Sequence, residues 1–185
     1  VAVTTQRGAV FVAWLTEDET YRIARHEDGA WSFFDPIRVV GTNYRGTRHF
    51  DIAVQDNETI HLLFRNRTDD ALHQLRREPG GRWKLSLVDD GAADDRRQEC
   101  APTAGDPDRP GVGYDPDTAL SSGQLFVAYY DGDCGDLRLA RSTGESWQVS
   151  VVDNGDFSIE DDPLRRPGNV GRFPSIGIDE DGRVA

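Results

Sequence analysis

The chain has 185 residues, a formal net charge of −12 and 37% hydrophobic residues. This length is enough for one domain with a hydrophobic core. The acidic excess excludes nucleic acid and anionic membrane surfaces as expected partners, because both require a basic face. The longest apolar run, Ala9–Leu15, is too short to span a bilayer, so no membrane insertion is expected.

Short apolar segments bounded by polar turns recur along the chain and predict β-strands. In the first unit, residues 1–46, the predicted strands are Val1–Val3, Val10–Trp14, Tyr21–Arg25 and Trp31–Val40. Pro36 predicts a bulge or bend in the last of them, because proline cannot donate to a ladder. In the second unit, residues 47–91, they are Asp51–Val54, Ile60–Phe64, Leu72–Arg76 and Trp83–Val88.

The same order continues through a third unit, residues 109–155, and into the start of a fourth, residues 172–185. The third unit has a first strand in VGYDPD, followed by Leu125–Tyr130, Asp136–Arg141 and Trp147–Asp153. Trp31, Trp83 and Trp147 each open a last strand, at spacings of 83 − 31 = 52 and 147 − 83 = 64. We expect these three rings to pack at equivalent sites.

Four strands per unit at this period predict an all-β protein, a β-propeller fragment of about three complete four-stranded antiparallel blades plus the start of a fourth. Apolar and polar residues alternate in Trp83–Val88, which predicts an outermost strand whose Lys84 and Ser86 side chains face solvent. The apolar segments Ile60–Phe64 and Leu125–Tyr130 hardly alternate, which indicates burial on both faces. We expect the remaining blades of the ring to come from the same or another chain.

Two long loops, residues 92–108 and 156–171, join successive units. The connections that contain them have equal length, since 112 − 89 = 23 and 176 − 153 = 23. A meander places both loops at one end of the ring, and loops on a rigid scaffold commonly carry binding. The residues predicted to bind a glycan or protein partner there, all within reach of solvent, are Arg48, His49, Arg96, Arg97 and Arg172.

The two cysteines, Cys100 and Cys134, fall at this same end of the predicted ring. We predict a disulfide between them, with two unrelated thiols as the alternative. A disulfide indicates an oxidising compartment, so the expected location is extracellular, periplasmic or on the cell surface.

Alternating carboxylates in the turn that contains Cys134 form a candidate Ca²⁺ site. Asp131, Asp133 and Asp136 supply the oxygen ligands that calcium prefers, although Asp-Gly turns also form for conformational reasons alone. The four histidines, His26, His49, His61 and His73, fall at different strand positions and predict neither a metal cluster nor a Ser/His/Asp set.

Several segments resemble the bacterial β-propeller repeats of the sialidase-like, Asp-box superfamily. They are Arg172–Asp181, Leu125–Asp131, Asp136–Arg141 and Gly144–Trp147. The boxes are degenerate, since Gly80 and Gly144 keep the glycine but only Glu78 keeps an acid. The resemblance also implies arginines around the axis for a substrate carboxylate. Arg48 and Arg172 align at first-strand entrances, while Asp108 occupies the third position.

This resemblance implies two classes of function. The first is a non-enzymatic propeller that binds a glycan or a protein, or acts as a scaffold, through the long-loop face. The alternative is a sialidase-like glycoside hydrolase whose catalytic residues lie largely outside this segment, and no catalytic residue is assigned within it.

Overall fold

The computed structural model describes residues 1–39, 49–92, 111–154, 170–181 and 183–184. The described chain is all-β and contains three antiparallel sheets. Within it, no helix is long and apolar enough to cross a membrane.

Each sheet contains a four-strand meander in chain order, and sheet 1 has a short fifth strand. Sheet 1 contains β1 (Ala2–Gln6), β2 (Ala9–Leu15), β3 (Thr20–Glu27), β4 (Ala30–Phe33) and the short β5 (Ile37–Arg38). Sheet 2 contains β6 (Phe50–Val54), β7 (Ile60–Asn66), β8 (Ala71–Arg77) and β9 (Lys84–Asp89). Sheet 3 contains β10 (Val112–Ser121), β11 (Gln124–Asp131), β12 (Asp136–Thr143) and β13 (Ser146–Asp153).

The predicted meander pairing is confirmed in all three sheets. The break expected at Pro36 is also present, because β4 and β5 both pair with β3 and are separated by Phe34–Pro36. The start of a fourth unit is described only as a single antiparallel bridge between Ile178 and Val184.

Two hydrophobic cores hold the sheets together face to face. The first lies between sheets 1 and 2 and includes Phe11, Ile23, Leu62 and Phe64. The second lies between sheets 2 and 3; its buried members are Ala53, Leu63, Leu72, Val88, Val112, Leu125, Val127, Tyr129 and Ala140. Every residue of β7 is buried, which confirms the prediction of a strand covered on both faces.

The tryptophans do not all pack alike. Trp83 packs against the first core and Trp147 against the second, so each contacts the preceding sheet. Trp31 is 54% exposed and rests only against His26, with ring centroids 4.8 Å apart. The prediction of three equivalent sites is therefore wrong for Trp31, because no described sheet covers that face of sheet 1.

The apolar side of β9 is also more exposed than its alternation indicates. Leu85 and Leu87 are 53% and 48% exposed. They lie on the side that carries the first core, but the facing strand β4 has only four residues and does not reach over them.

Aspartates on the first strands link successive sheets. Asp51 of β6 faces Leu63 in the register, and Asp117 of β10 faces Ala128, which is the equivalent position in the next sheet. The Asp51 carboxylate accepts hydrogen bonds from the backbone N–H and the hydroxyl of Thr118. The Asp117 carboxylate accepts one from the backbone N–H of Ile176, at 2.8 Å. The same contact is thus made twice along the chain.

Candidate functional site

The structure places His49 in a part-buried pair with Asp115. Its Nδ1 lies 2.6 Å from Asp115 Oδ1, and its side chain is only 10% exposed. The imidazole also packs edge-on against Tyr114, with ring centroids 4.9 Å apart. The carboxylate and the tyrosine ring cover part of the imidazole, and the binding role of His49 stays a prediction.

Arg172, the other described member of the predicted long-loop site, is exposed. Its guanidinium carbon lies 6.0 Å from the centre of the Tyr130 ring. Tyr130 in turn packs against Tyr114, with centroids 6.3 Å apart, so Arg172 and His49 border one aromatic group. Arg48, Arg96 and Arg97 lie outside the described residues.

The carboxylates predicted to bind calcium take part in the turn that follows β11. Asp131 Oδ1 accepts the backbone N–H of Asp133 at 2.9 Å, and Asp133 Oδ1 accepts the N–H of Gly111 at 2.8 Å. Ligand atoms of Asp131, Asp136 and Cys134 lie within 4.8 Å of one another. The Asp131 carboxylate already has a protein cation, the Arg138 guanidinium, at 2.5 Å. The calcium site stays a prediction.

Cys134 is buried and disulfide-bonded, so it offers no free thiolate to a metal. Its predicted partner, Cys100, lies outside the described residues.

A buried polar network joins sheet 2 to sheet 3. Arg138, 2% exposed, contacts Asp131 within its own sheet and Asp89 of β9 at 3.2 Å. Asp89 also accepts a hydrogen bond of 2.6 Å from the hydroxyl of Tyr129. Burial, followed by the charge of Asp89, raises the pKa of Tyr129 well above its usual value, so this phenol stays a donor.

Farther from the first strands, the two sheets separate and leave an open gap, which we call the inter-sheet cleft. Its His61 compartment, about 520 Å³, lies between β7–β9 and the ends of β11–β13. Its Arg138 compartment, about 550 Å³, runs along β9 and β13. Gln55 donates a hydrogen bond of 2.9 Å to the backbone oxygen of Gly123, which ties the two sheets together at the inner end of the His61 compartment.

The His61 compartment is polar because two registers of sheet 2 place polar side chains on the face toward sheet 3. His61 lies opposite Arg76, and Arg76 lies opposite Lys84. At the next position on the same face of the sheet, Gln74 lies opposite Ser86. The corresponding positions between sheets 1 and 2 are occupied by the apolar side chains Leu62, Leu75 and Leu85.

A chain of hydrogen bonds fixes the protonation of His61. The Ser86 hydroxyl donates to Gln74 Oε1 at 3.3 Å, and the Gln74 amide nitrogen lies 2.9 Å from His61 Nδ1. The amide nitrogen can only donate, so Nδ1 accepts and the proton of the neutral ring is on Nε2. Burial, and then the nearby Arg76, lowers the pKa of His61 to about 4, so the ring is neutral at neutral pH.

His61 Nε2 is buried and has no hydrogen-bond partner among the residues that the structure describes. An unsatisfied buried donor costs about 1 to 3 kcal/mol, so such a group in a native structure calls for an explanation. His61 lines the cleft together with the half-buried ring of Trp147, the carboxylate of Glu145 and the guanidinium of Arg76. The compartment is therefore lined by an aromatic residue, a buried imidazole with an unsatisfied N–H and charged residues.

The chain matches no family model and no curated protein sequence. Among solved structures it resembles the SapL1 lectin, solved in complex with alpha methyl fucoside, with a TM-score of 0.53 and 12% identity over 83% of this chain and 47% of the lectin. It also resembles an exo-beta-1,3-galactanase from Phanerochaete chrysosporium solved with galactose, with a TM-score of 0.49 and 11% identity over 82% of this chain and 34% of that enzyme. A third is the GH43 protein BlXynB from Bacillus licheniformis, with a TM-score of 0.49 and 12% identity over 98% of this chain and 34% of that protein.

At these identities the likeness concerns the fold alone. The chain spans about half the length of the lectin and about a third of the length of each of the other two proteins.

Sequence reasoning missed the inter-sheet cleft. Its available signal was the polar side of β8 and β9, where Gln74, Arg76, Lys84 and Ser86 lie on one face of the sheet. We interpreted Lys84 and Ser86 as an ordinary wet face, whereas sheet 3 stands opposite them across the cleft.

The buried neutral His61 predicts a pH dependence of stability. Its pKa is about 4 in the folded chain and about 6.5 when unfolded, so the unfolded state binds more protons between these values. We therefore expect this group to reduce the free energy of unfolding by about 3 kcal/mol as the pH falls from 6.5 to 4.

Urea unfolding of the wild type and of His61→Gln at several pH values measures this effect. As the pH falls from 6.5 to 4, the wild type should lose about 3 kcal/mol of stability relative to His61→Gln. Carboxylates that are present in both proteins contribute equally and cancel in this difference. Parallel pH profiles would show that His61 is not desolvated.

Proposed function

We propose that the chain forms part of a β-propeller and binds a saccharide in the His61 compartment, without hydrolysing it. The propeller is supported by three four-stranded meanders packed face to face with their first strands adjacent, and by the likeness to the lectin, a β-propeller protein. The expected relation to sialidase-like propellers remains part of this proposal. The ring would be completed by further blades from the same or another chain.

The observation that carries the saccharide proposal is that Trp147 lines the same compartment as His61, whose buried Nε2–H has no hydrogen-bond partner among the described residues. Sugar rings present hydroxyl oxygens at their edges and C–H groups on their faces. An aromatic ring covers the C–H groups, and fixed polar groups select the hydroxyls. The volume of about 520 Å³ falls within the usual range for small-ligand sites.

Polar side chains on both sides of the compartment, Arg76 and Gln124, give further contacts. Arg76 is held by Glu78, with a nitrogen to oxygen distance of 3.0 Å, and its side chain remains 33% exposed. Gln124 is held by the Nε of Arg141 at 3.1 Å. Held side chains lose little conformational freedom when they bind a ligand, which favours affinity.

The hydrolase alternative requires two carboxyl groups flanking a glycosidic bond. Among the described residues of the first strands, Asp51 and Asp117 occupy equivalent positions, but each accepts a hydrogen bond from the backbone of the next sheet. This arrangement favours a structural role for both. We also propose an extracellular, periplasmic or cell-surface location, where saccharide partners occur and a disulfide persists.

The test is a glycan array followed by calorimetry of the hits, with Trp147→Ala and His61→Leu as site variants. We expect each to weaken binding by about tenfold or more, a change of about 1.4 kcal/mol. Trp31→Ala is the matched control, because it removes an equally large ring from the exposed face of sheet 1. Circular dichroism checks that each variant is folded.

A parallel variant, Arg172→Ala, tests the long-loop face predicted from the sequence. Loss of binding in Arg172→Ala with normal binding in Trp147→Ala would place the site at that face. An array without any bound saccharide would refute the proposed function.

A further inference from the structure

The two compartments of the inter-sheet cleft are adjacent, because Glu145 and Trp147 line both of them. Strand β13 lines the cleft from Ser146 to Val151, which corresponds to about 20 Å. This length greatly exceeds that of a single sugar ring.

The far compartment has a different chemistry. Its walls include the side chains of Val88, Val149 and Val151, and its floor contains the ion pair between Asp89 and Arg138. This pair is already satisfied within the protein, so the far compartment offers mainly apolar contact surface. The strands that border it make few contacts with each other, because β9 and β13 diverge along their length.

Building on the proposed function, we propose that the cleft binds an extended oligosaccharide chain rather than a single sugar. The terminal or internal unit recognised by His61 and Trp147 lies in the first compartment. The units that follow it continue along β13 through the second. Trp147 is at the junction, so its ring contacts the chain where it passes from one compartment to the other.

This arrangement predicts how the affinity depends on the length of the oligosaccharide. A sugar unit in the His61 compartment gains directed hydrogen bonds, whereas each additional unit gains burial against the valines of β9 and β13. Affinity should therefore rise with chain length until the second compartment is filled. Specificity for the type of sugar should reside mainly in the first compartment.

The experiment is calorimetric titration of the intact protein with four oligosaccharide series of one to six units, built from glucose, N-acetylglucosamine, galactose and xylose. In at least one series we expect the tetramer to bind about tenfold or more tightly than the monomer, or about 1.4 kcal/mol. Equal affinity for monomer and hexamer in every series that binds would overturn the inference and leave the proposed function standing. Absence of binding in all four series would refute both.

A blocking variant adds a structural readout. Val151→Trp fills the Arg138 compartment with a bulky side chain, and we expect it to reduce the affinity ratio of hexamer to monomer to near one. Val152→Trp is the matched control, because Val152 is the next residue of β13 and is 57% exposed. An unchanged ratio in the folded Val151→Trp protein would contradict an extended ligand in this compartment.

Discussion

Replacing Arg138 with methionine is expected to lower the free energy of unfolding by about 3 to 5 kcal/mol. The methionine fills much of the space but leaves the buried carboxylates of Asp89 and Asp131 without their cation. Asp131 has no exposed side-chain surface and Asp89 only 4%, so water cannot replace the guanidinium. Urea unfolding at neutral pH measures the change.

Two further variants separate this effect from the loss of a large side chain. Arg141→Met removes an exposed arginine from the same strand, and its effect should stay within about 0.5 kcal/mol. Adding Asp89→Asn and Asp131→Asn to Arg138→Met removes the uncompensated charges and should restore part of the stability. Equal losses in Arg138→Met and Arg141→Met would show that the buried network does not stabilise the fold.

Gly113→Ala is expected to destabilise the chain by more than about 2 kcal/mol. Gly113 has a φ of 90°, and an added Cβ would lie 2.9 Å from Leu72 Cβ and 3.1 Å from Leu72 Cα. The side chain therefore meets both an unfavourable backbone conformation and a fixed neighbour in the second core. The same approach recurs where Gly171 meets Leu137.

Gly123→Ala provides the matched control for this prediction. Gly123 has a φ of 77° in the turn between β10 and β11, but nothing lies within 4 Å of the added Cβ. Its expected loss is the conformational part alone, about 1 to 2 kcal/mol. Equal losses of stability in Gly113→Ala and Gly123→Ala, measured by thermal or urea unfolding, would contradict the close packing of β10 on β8.

The strands could be predicted from the sequence because their signal is local. Alternating apolar residues and Gly-Asp turns determine where each strand begins and ends, and a meander needs only neighbouring hairpins. The bend at Pro36 was predictable for the same reason, since proline acts on its own backbone.

The candidate site could not be predicted in this way. His61 and Trp147 belong to different sheets, and their proximity depends on how those sheets pack and diverge, which no local pattern encodes. The burial of His49 likewise depends on Asp115 and Tyr114 from the next unit. Trp31 has the same local sequence setting as Trp83 and Trp147, yet its exposure is set by the absence of a described sheet over it.

The aspartate contacts between first strands give the stack a direction. Asp51 accepts its hydrogen bonds from Thr118, and Asp117 accepts its bond from Ile176, so each carboxylate is satisfied by a unit that comes later in the chain. Burial raises the pKa of Asp51, which shows that this carboxylate sits in a poorly solvated position. During synthesis on the ribosome, the Asp51 carboxylate therefore stays without these donors until the third unit has emerged, and the Asp117 carboxylate until Ile176 has emerged.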